Sequence, residues 1–198
     1  MSKNWRRATL IAVLATFAML LSSCVQGPPS FNEAQERAAI TSMLQQFEKG
    51  IEDYDMDKML GSLTQAFSLV LEEGGKTFPK NYSTLRGELE SDRDNQLYWR
   101  QQYQYALDLR LDRLTVKVTS ANSAEGSALF SVVEKASGIA PITTDSGAIR
   151  WQFAKLNGSW KITTMNTHFA TLPVPQKVHS QEVQSRQGLP GKNPFFGR

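Results

Sequence analysis

The chain has 198 residues, with 22 Lys and Arg against 19 Asp and Glu, two His and one Cys, for a formal charge of +3 and a pI near 9.0. That length suits one domain with extensions, and 40% apolar with 21% charged residues excludes a largely disordered or collagen-like chain. One cysteine excludes an intramolecular disulfide and a thiolate cluster for zinc or iron–sulfur, and His168 and His179 are too few for a histidine-rich metal centre. No P-loop, dinucleotide fingerprint or Ser-His-Asp order is present, so no cofactor and no metal are expected.

Lys3, Arg6 and Arg7 precede an uncharged, mostly apolar run from Ala8 to Leu21. A run of that length falls short of the roughly 20 residues that cross a bilayer, but it suits the hydrophobic region of a cleaved signal peptide. Leu21-Ser22-Ser23-Cys24 resembles the lipobox of bacterial lipoproteins, and the only cysteine falls where that motif requires it. The resemblance implies cleavage between Ser23 and Cys24, with diacylglycerol and a further acyl chain such as palmitate on Cys24. Two or three chains give stable anchoring where a single chain does not. Val25, in place of the Asp that resembles an inner-membrane retention signal, implies the periplasmic face of the outer membrane.

Residues 1–23 carry three basic and no acidic residues, so the 22 basic residues fall to 19 on cleavage, equal to the 19 acidic ones. Nucleic acid is therefore not an expected partner. The remaining charge is polarised, with acidic residues in excess up to Arg100 and basic ones in excess after it.

The order of segments predicts a tether over 24–30, a folded domain over 31–170 and a flexible tail over 171–198, the last rich in Pro, Gln and Ser. Within the domain, Asn32 is a candidate N-cap with Glu33 and Glu36 behind it. Ile40, Met43, Leu44, Phe47 and Ile51 then form one helical stripe. Asp55 is a candidate N-cap for a shorter helix with Met56, Met59, Leu60 and Leu63 on its buried side. Phe67 to Leu71 reads as a strand stopped by Gly74-Gly75. A third helix is expected from Tyr82 to about Asp92, while the polar segment from Asp92 to Arg100 has no clear periodicity.

A long strand is expected from Tyr103. Tyr103, Tyr105, Leu107, Leu109 and Leu111 alternate with polar residues before the apolar parity flips to Leu114, Val116 and Val118. Such a flip is what one inserted residue produces, and it places a β-bulge near Asp112-Arg113. Two further strands, about Ala124–Lys135 and Gly147–Leu156, are followed by the hairpin dipeptide Asn157-Gly158 and a last strand from Trp160 to His168. Helices first and a strand meander afterwards define an α+β class with segregated elements.

The run from Ile51 to Leu60, leading into Phe67-Ser68-Leu69, resembles the helix–Asp–helix–strand opening of nuclear-transport-factor-2-like domains, the SnoaL-like proteins among them. Trp151 to Ile162 is similar to the final hairpin of that fold. The resemblance spans about Phe31 to Phe169. It implies three helices packed on a strongly curved antiparallel sheet, forming a cone with a pocket open at one end.

Enzymes of that kind place an Asp or His acid–base inside the cone, where desolvation brings its pKa towards working pH. His168 is the single weak candidate here, because it continues the alternation Trp160, Ile162, Thr164, Asn166. Tyr103, Tyr105, Trp151, Asn166 and His168 are the candidates for lining a pocket. Asp53, Asp55 and Asp57 lie at a helix–helix junction and lack the Gly and Glu of a calcium loop, which favours capping over metal binding. No matched acid–base pair assembles from the inward positions. The expectation is a membrane-anchored periplasmic lipoprotein with a non-catalytic domain. That domain binds a small apolar ligand or docks a second copy or another envelope protein. The alternative is a SnoaL-like isomerase or dehydratase acting on a small apolar substrate.

Overall fold

The computed structural model describes residues 31–170 and Phe195. The readings placed on the signal peptide, on Cys24 and the tether, and on the rest of the tail lie outside the described residues. The first apolar stripe winds into α1 (Glu33–Asp53), whose buried residues include Ile40, Leu44, Phe47 and Ile51. Its exposed side carries Glu33–Arg37 and Lys49–Asp53 pairs, each at 2.6 Å. α1 ends where Tyr54 takes a left-handed φ of 57°, which turns the chain into α2 (Met56–Gly61). Asp55 caps α2 by accepting from the Lys58 backbone N–H at 3.1 Å. The two helices touch closely at Gly50, where an added Cβ would stand 2.9 Å from Lys58 Cβ.

Leu63, expected on the buried side of the second helix, instead opens β1 (Leu63–Glu73), because α2 ends at Gly61; β1 then turns at Gly74-Gly75 into β2 (Lys76–Asn81). Gly74 and Gly75 have φ of 54° and 77°, a region open to glycine at little cost. β2 carries no alternating apolar signal, and Pro79 lies within it. An edge strand tolerates that residue because one side of its backbone makes no ladder bonds.

The third helix is longer than the pattern suggests. α3 runs from Tyr82 to Tyr103, capped by Asn81, which accepts from Thr84 N–H at 2.9 Å. The polar stretch after Asp92 stays helical by side-chain bonding one turn apart. Asp92 accepts from Gln96 at 2.8 Å, and Asn95 accepts from the Trp99 indole at 3.0 Å. Tyr103 therefore closes a helix and does not open a strand. Tyr105 follows the left-handed C-cap Gln104.

The remaining strands are β3 (Ala106–Ser120), β4 (Ser123–Ala136), β5 (Ile139–Leu156) and β6 (Ser159–Phe169). The sheet order is β2-β1-β6-β5-β4-β3, antiparallel throughout except where β1 runs parallel to β6. The expected bulge in β3 is present: pairing shifts between Asp112 and Thr115, and Arg113 has φ 54°. Asn157 and Gly158, with φ of 51° and 79°, make the two-residue turn between β5 and β6 whose twist suits a hairpin.

A second bulge falls in β6, where no parity signal in the sequence announces it. Phe153 pairs with Ile162 and Gln152 with Thr164, so Thr163 is the extra residue. Trp160 and Ile162 are buried before it, and Met165, Thr167 and Phe169 after it. The core gathers these residues with Phe67, Leu69 and Leu71 of β1, Phe130 and Val132 of β4, Ile149, Trp151 and Phe153 of β5, and the α1 stripe. Large residues of one strand stand opposite small ones of the next: Trp151 faces Gly126, and Phe130 faces Gly147. A Cβ on Gly147 would come within 2.0 Å of the His168 carbonyl oxygen, so the crossing there admits glycine alone.

Candidate functional site

The interior of the curved sheet is the first place to seek a site, because the fold directs side chains from several strands to one point. Here that point is packed. Trp151 and Phe153 stack with ring centres 6.4 Å apart, and Phe130 meets Phe169 edge to face at 5.6 Å. Met165 is fully buried between these groups in the core. Two polar atoms are sealed in the same core without a hydrogen-bond partner, the Trp151 indole N–H and the Thr167 hydroxyl. Asp145 of β5 is also buried, opposite Val132, at the parity shared by Ile149 and Trp151.

The sequence candidates separate across the two faces. Trp151 is buried inside. Asn166 and His168 are exposed, because the extra residue at Thr163 reverses the parity that began at Trp160 and turns both side chains to the outside. His168 pairs with Glu72 across the β1–β6 register, its Nδ1 3.5 Å from the carboxylate and its side chain 65% exposed. It lacks the enclosure that a general base needs, and its acidic neighbour Glu72 is itself half exposed.

Tyr103 is exposed at the end of α3 and stacks on Trp99 with ring centres 4.4 Å apart. Tyr105 is buried, and burial is the main cause that pushes its phenol far above the usual range, with Glu134 adding to it. A phenol held so firmly neutral donates hydrogen bonds and does not act as a base.

The aspartates between α1 and α2 do structural work. Asp53 pairs with Lys49, and Asp55 holds Lys58 at 2.8 Å while capping α2. Hydrogen bonds from Lys58 keep the Asp55 carboxyl below the usual carboxylate range. Among the described residues no group of three or more His, Cys, Asp or Glu is placed to hold a metal ion.

Two features escaped the sequence reading. Arg100 on α3 is half-buried, and its Nε has no hydrogen-bond partner. Burial lowers the guanidinium pKa, and Tyr105, Asp53 and Tyr54 act in the opposite direction. A lone Arg in a polar helix gives no sequence signal for this, because its surroundings include Asp53 at the end of α1, Tyr54 just after it and Tyr105 just before β3.

The second feature joins the ends of the domain. Glu36 in the first turns of α1 accepts from Lys155 Nζ at 2.7 and 2.8 Å and from the Trp160 indole at 2.7 Å. These bonds, Lys155 first, draw the Glu36 carboxyl below its usual range. The Glu36 clamp lies in a surface groove of about 790 Å³ between α1, α2 and the β5–β6 turn, where Lys58 and Lys161 also face the opening. Lys161 donates to the Gly61 carbonyl and so ties the end of α2 to β6. The groove is within the size range of small-molecule sites, though its walls are polar and charged. A smaller groove of about 470 Å³ crosses the strands at Thr115, Arg150, Gln152 and Asn166.

This architecture, with its helices against a curved six-stranded sheet, is the cystatin-like, NTF2-like fold. No protein-family model matches the sequence, and no curated protein matches it. Solved structures do. An NTF2-like protein with a cystatin-like fold from Novosphingobium aromaticivorans superposes with a TM-score of 0.55 at 14% identity, over 83% of this chain and 93% of its own. The β subunit of the benzoate 1,2-dioxygenase from Burkholderia mallei gives 0.58 at 9% identity, over 69% and 94%. A protein of unknown function with a cystatin-like fold from Nostoc punctiforme gives 0.52 at 14% identity, over 71% and 96%. At these identities the likeness shows the fold alone.

Proposed function

We propose that the protein is a lipid-anchored lipoprotein of the cell envelope, held through Cys24 at the periplasmic face of the outer membrane, whose NTF2-like domain binds or docks without catalysing a reaction. The observation that carries the non-catalytic half is the outward turn of His168 after Thr163, together with the aromatic filling of the inner face. A general acid–base must meet its substrate in a desolvated site, and this histidine meets solvent.

Binding then falls to the outside. The groove around Glu36 supports this reading by its size and by its place. Cys24 and Glu33 stand nine positions apart, a stretch that spans at most roughly 30 Å when extended. A lipid on Cys24 would thus hold the start of α1, and the groove beside it, within that distance of the bilayer. That a solved protein of this fold is the β subunit of a dioxygenase supports docking as a use of the fold, by analogy.

Two measurements test the proposal. Globomycin treatment or Cys24→Ser should block processing and release the protein from the membrane fraction; unchanged processing with a soluble mature chain overturns the anchor. Native mass spectrometry of the delipidated protein, purified from its host, should show a co-purified small ligand, a dimer or another envelope protein. Finding none of these overturns the binding role. One observation favours the SnoaL-like isomerase or dehydratase reading, namely the buried carboxyl of Asp145 on the inner face. A co-purified ligand that Asp145→Asn alone abolishes would move the assignment to that enzyme class.

A further inference from the structure

Arg100 lies in the last turn of α3, half-buried, with its Nε shielded from solvent. Among the described residues its side chain makes no hydrogen bond and no ion pair. A guanidinium keeps its charge, and a charge taken out of water without a partner costs more than a neutral polar group left in the same state. Such a group calls for an explanation in what it is kept to meet.

The side chains nearby that could satisfy it are engaged elsewhere. Asp53 holds Lys49 at 2.6 Å, while Asp92 accepts from Asn95 at 3.0 Å and from Gln96 at 2.8 Å. The Tyr54 hydroxyl donates to the Leu89 carbonyl at 3.0 Å. Tyr105 differs from these. Its hydroxyl makes no hydrogen bond among the described residues, and burial holds the phenol neutral, so it keeps a proton to donate. Tyr54 and Tyr105, 7% and 5% exposed, also bring ring surface to the neighbourhood of the guanidinium.

We infer that Arg100 and the Tyr105 hydroxyl form a binding site for the carboxylate of a small ligand with an apolar body. The Nε–H and one Nη–H of a guanidinium form a fork that matches the two oxygens of a carboxylate. In Arg100 that edge is unused. The site stands at the Asp53 end of α1, and Asp53 lies 17 positions beyond Glu36 in that helix, roughly 25 Å at the helical rise. It is separate from the outer groove around Glu36, and it does not depend on the lipid anchor.

The test is a titration of the delipidated mature chain, carrying nitrogen-15 arginine, with sodium phenylacetate, followed by NMR of the Nε–H signals. The Arg100 signal, identified by its loss in Arg100→Lys, should shift saturably with phenylacetate and stay in place with neutral phenylacetamide. In calorimetry, Arg100→Lys keeps the charge and loses the fork, and should weaken phenylacetate binding by about tenfold. Tyr105→Phe should weaken it as well. No saturable shift, an equal shift with phenylacetamide, or an Arg100→Lys affinity equal to that of the wild type overturns the proposal. An unchanged affinity in Tyr105→Phe overturns the two-donor site. Inorganic phosphate that shifts the signal at lower concentration than phenylacetate would make this a phosphate site and overturn the carboxylate assignment. If Arg100→Lys does not fold, Arg100→Gln takes its place, and the phenylacetamide comparison in the wild type still decides.

Discussion

The two faces of β6 carry similar side chains in opposite states. Thr167 is 1% exposed and its hydroxyl has no partner, while the next residue, His168, is in solvent beside Glu72. On β5 the same division separates buried Trp151 from exposed Arg150. Composition does not distinguish these positions, since Thr, His and Arg are all ordinary on a wet surface. On β6, what decides which of the two lies inside is one residue, Thr163, which occupies a place in the chain and none in the ladder. The inner face therefore has packing and no accessible titratable group at His168, and the outer face has charge and grooves.

Removing that residue is the most direct way to break the comparison. Deletion of Thr163 would carry Trp160–Ile162 and Met165–Phe169 into conflict. Either Met165 and Phe169 turn out to solvent or the hairpin slips by one residue. Losing the burial of those two side chains costs about 3–6 kcal/mol, a large part of the stability of a domain this size. The expected outcome in urea denaturation is a chain without a cooperative native baseline. A cooperative transition near the wild-type midpoint would show that the bulge does not set the faces.

The outer face is sharpened by Glu36→Gln. Glu36 ties the start of α1 to the β5–β6 hairpin through Lys155 and Trp160, so the variant should melt at a lower temperature at neutral pH. Because the folded-state pKa of Glu36 is depressed, its contribution is present above the unfolded value near pH 4.3 and is lost as pH falls through the lower folded value. The melting temperatures of variant and wild type should therefore draw together as pH falls from the unfolded value through the lower folded one. A gap that persists at low pH would mean that the hydrogen-bond geometry, and not the carboxylate charge, holds the hairpin.

A quieter pair of substitutions compares the faces directly. Thr167→Val removes a buried hydroxyl that has no partner, so its cost is near zero or it stabilises by up to about 1 kcal/mol. A loss greater than about 1 kcal/mol would reveal a water or ligand on that hydroxyl in solution. His168→Ala, the smallest expected effect, should lie within about 0.5 kcal/mol in denaturant titrations, as for exposed ion pairs elsewhere. It should also leave any ligand seen by native mass spectrometry in place. Loss of that ligand would restore His168 to the site.

Much of the frame was legible in the chain because local chemistry writes it directly. The α1 stripe, the Asp55 cap, the Gly74-Gly75 and Asn157-Gly158 turns and the bulge near Arg113 each leave a local sequence signal. The bulge in β3 was visible because apolar residues mark both sides of it. The one in β6 was hidden, because Thr163 and Thr164 stand where the parity changes and threonine suits either face. The same ambiguity obscured β2 and the second half of α3, which are built from polar residues whose partners lie elsewhere in the fold.

By itself, then, the sequence determined the α+β class and most of the helix and strand segments, since each depends on neighbours along the chain. Tertiary structure alone decided which face each β6 residue takes, that Arg100 would be half-buried and that Phe195 would lie against Phe47. Those outcomes depend on sheet register and on contacts between distant segments. The free energies that settle them come from burial and desolvation, which no short window of sequence contains.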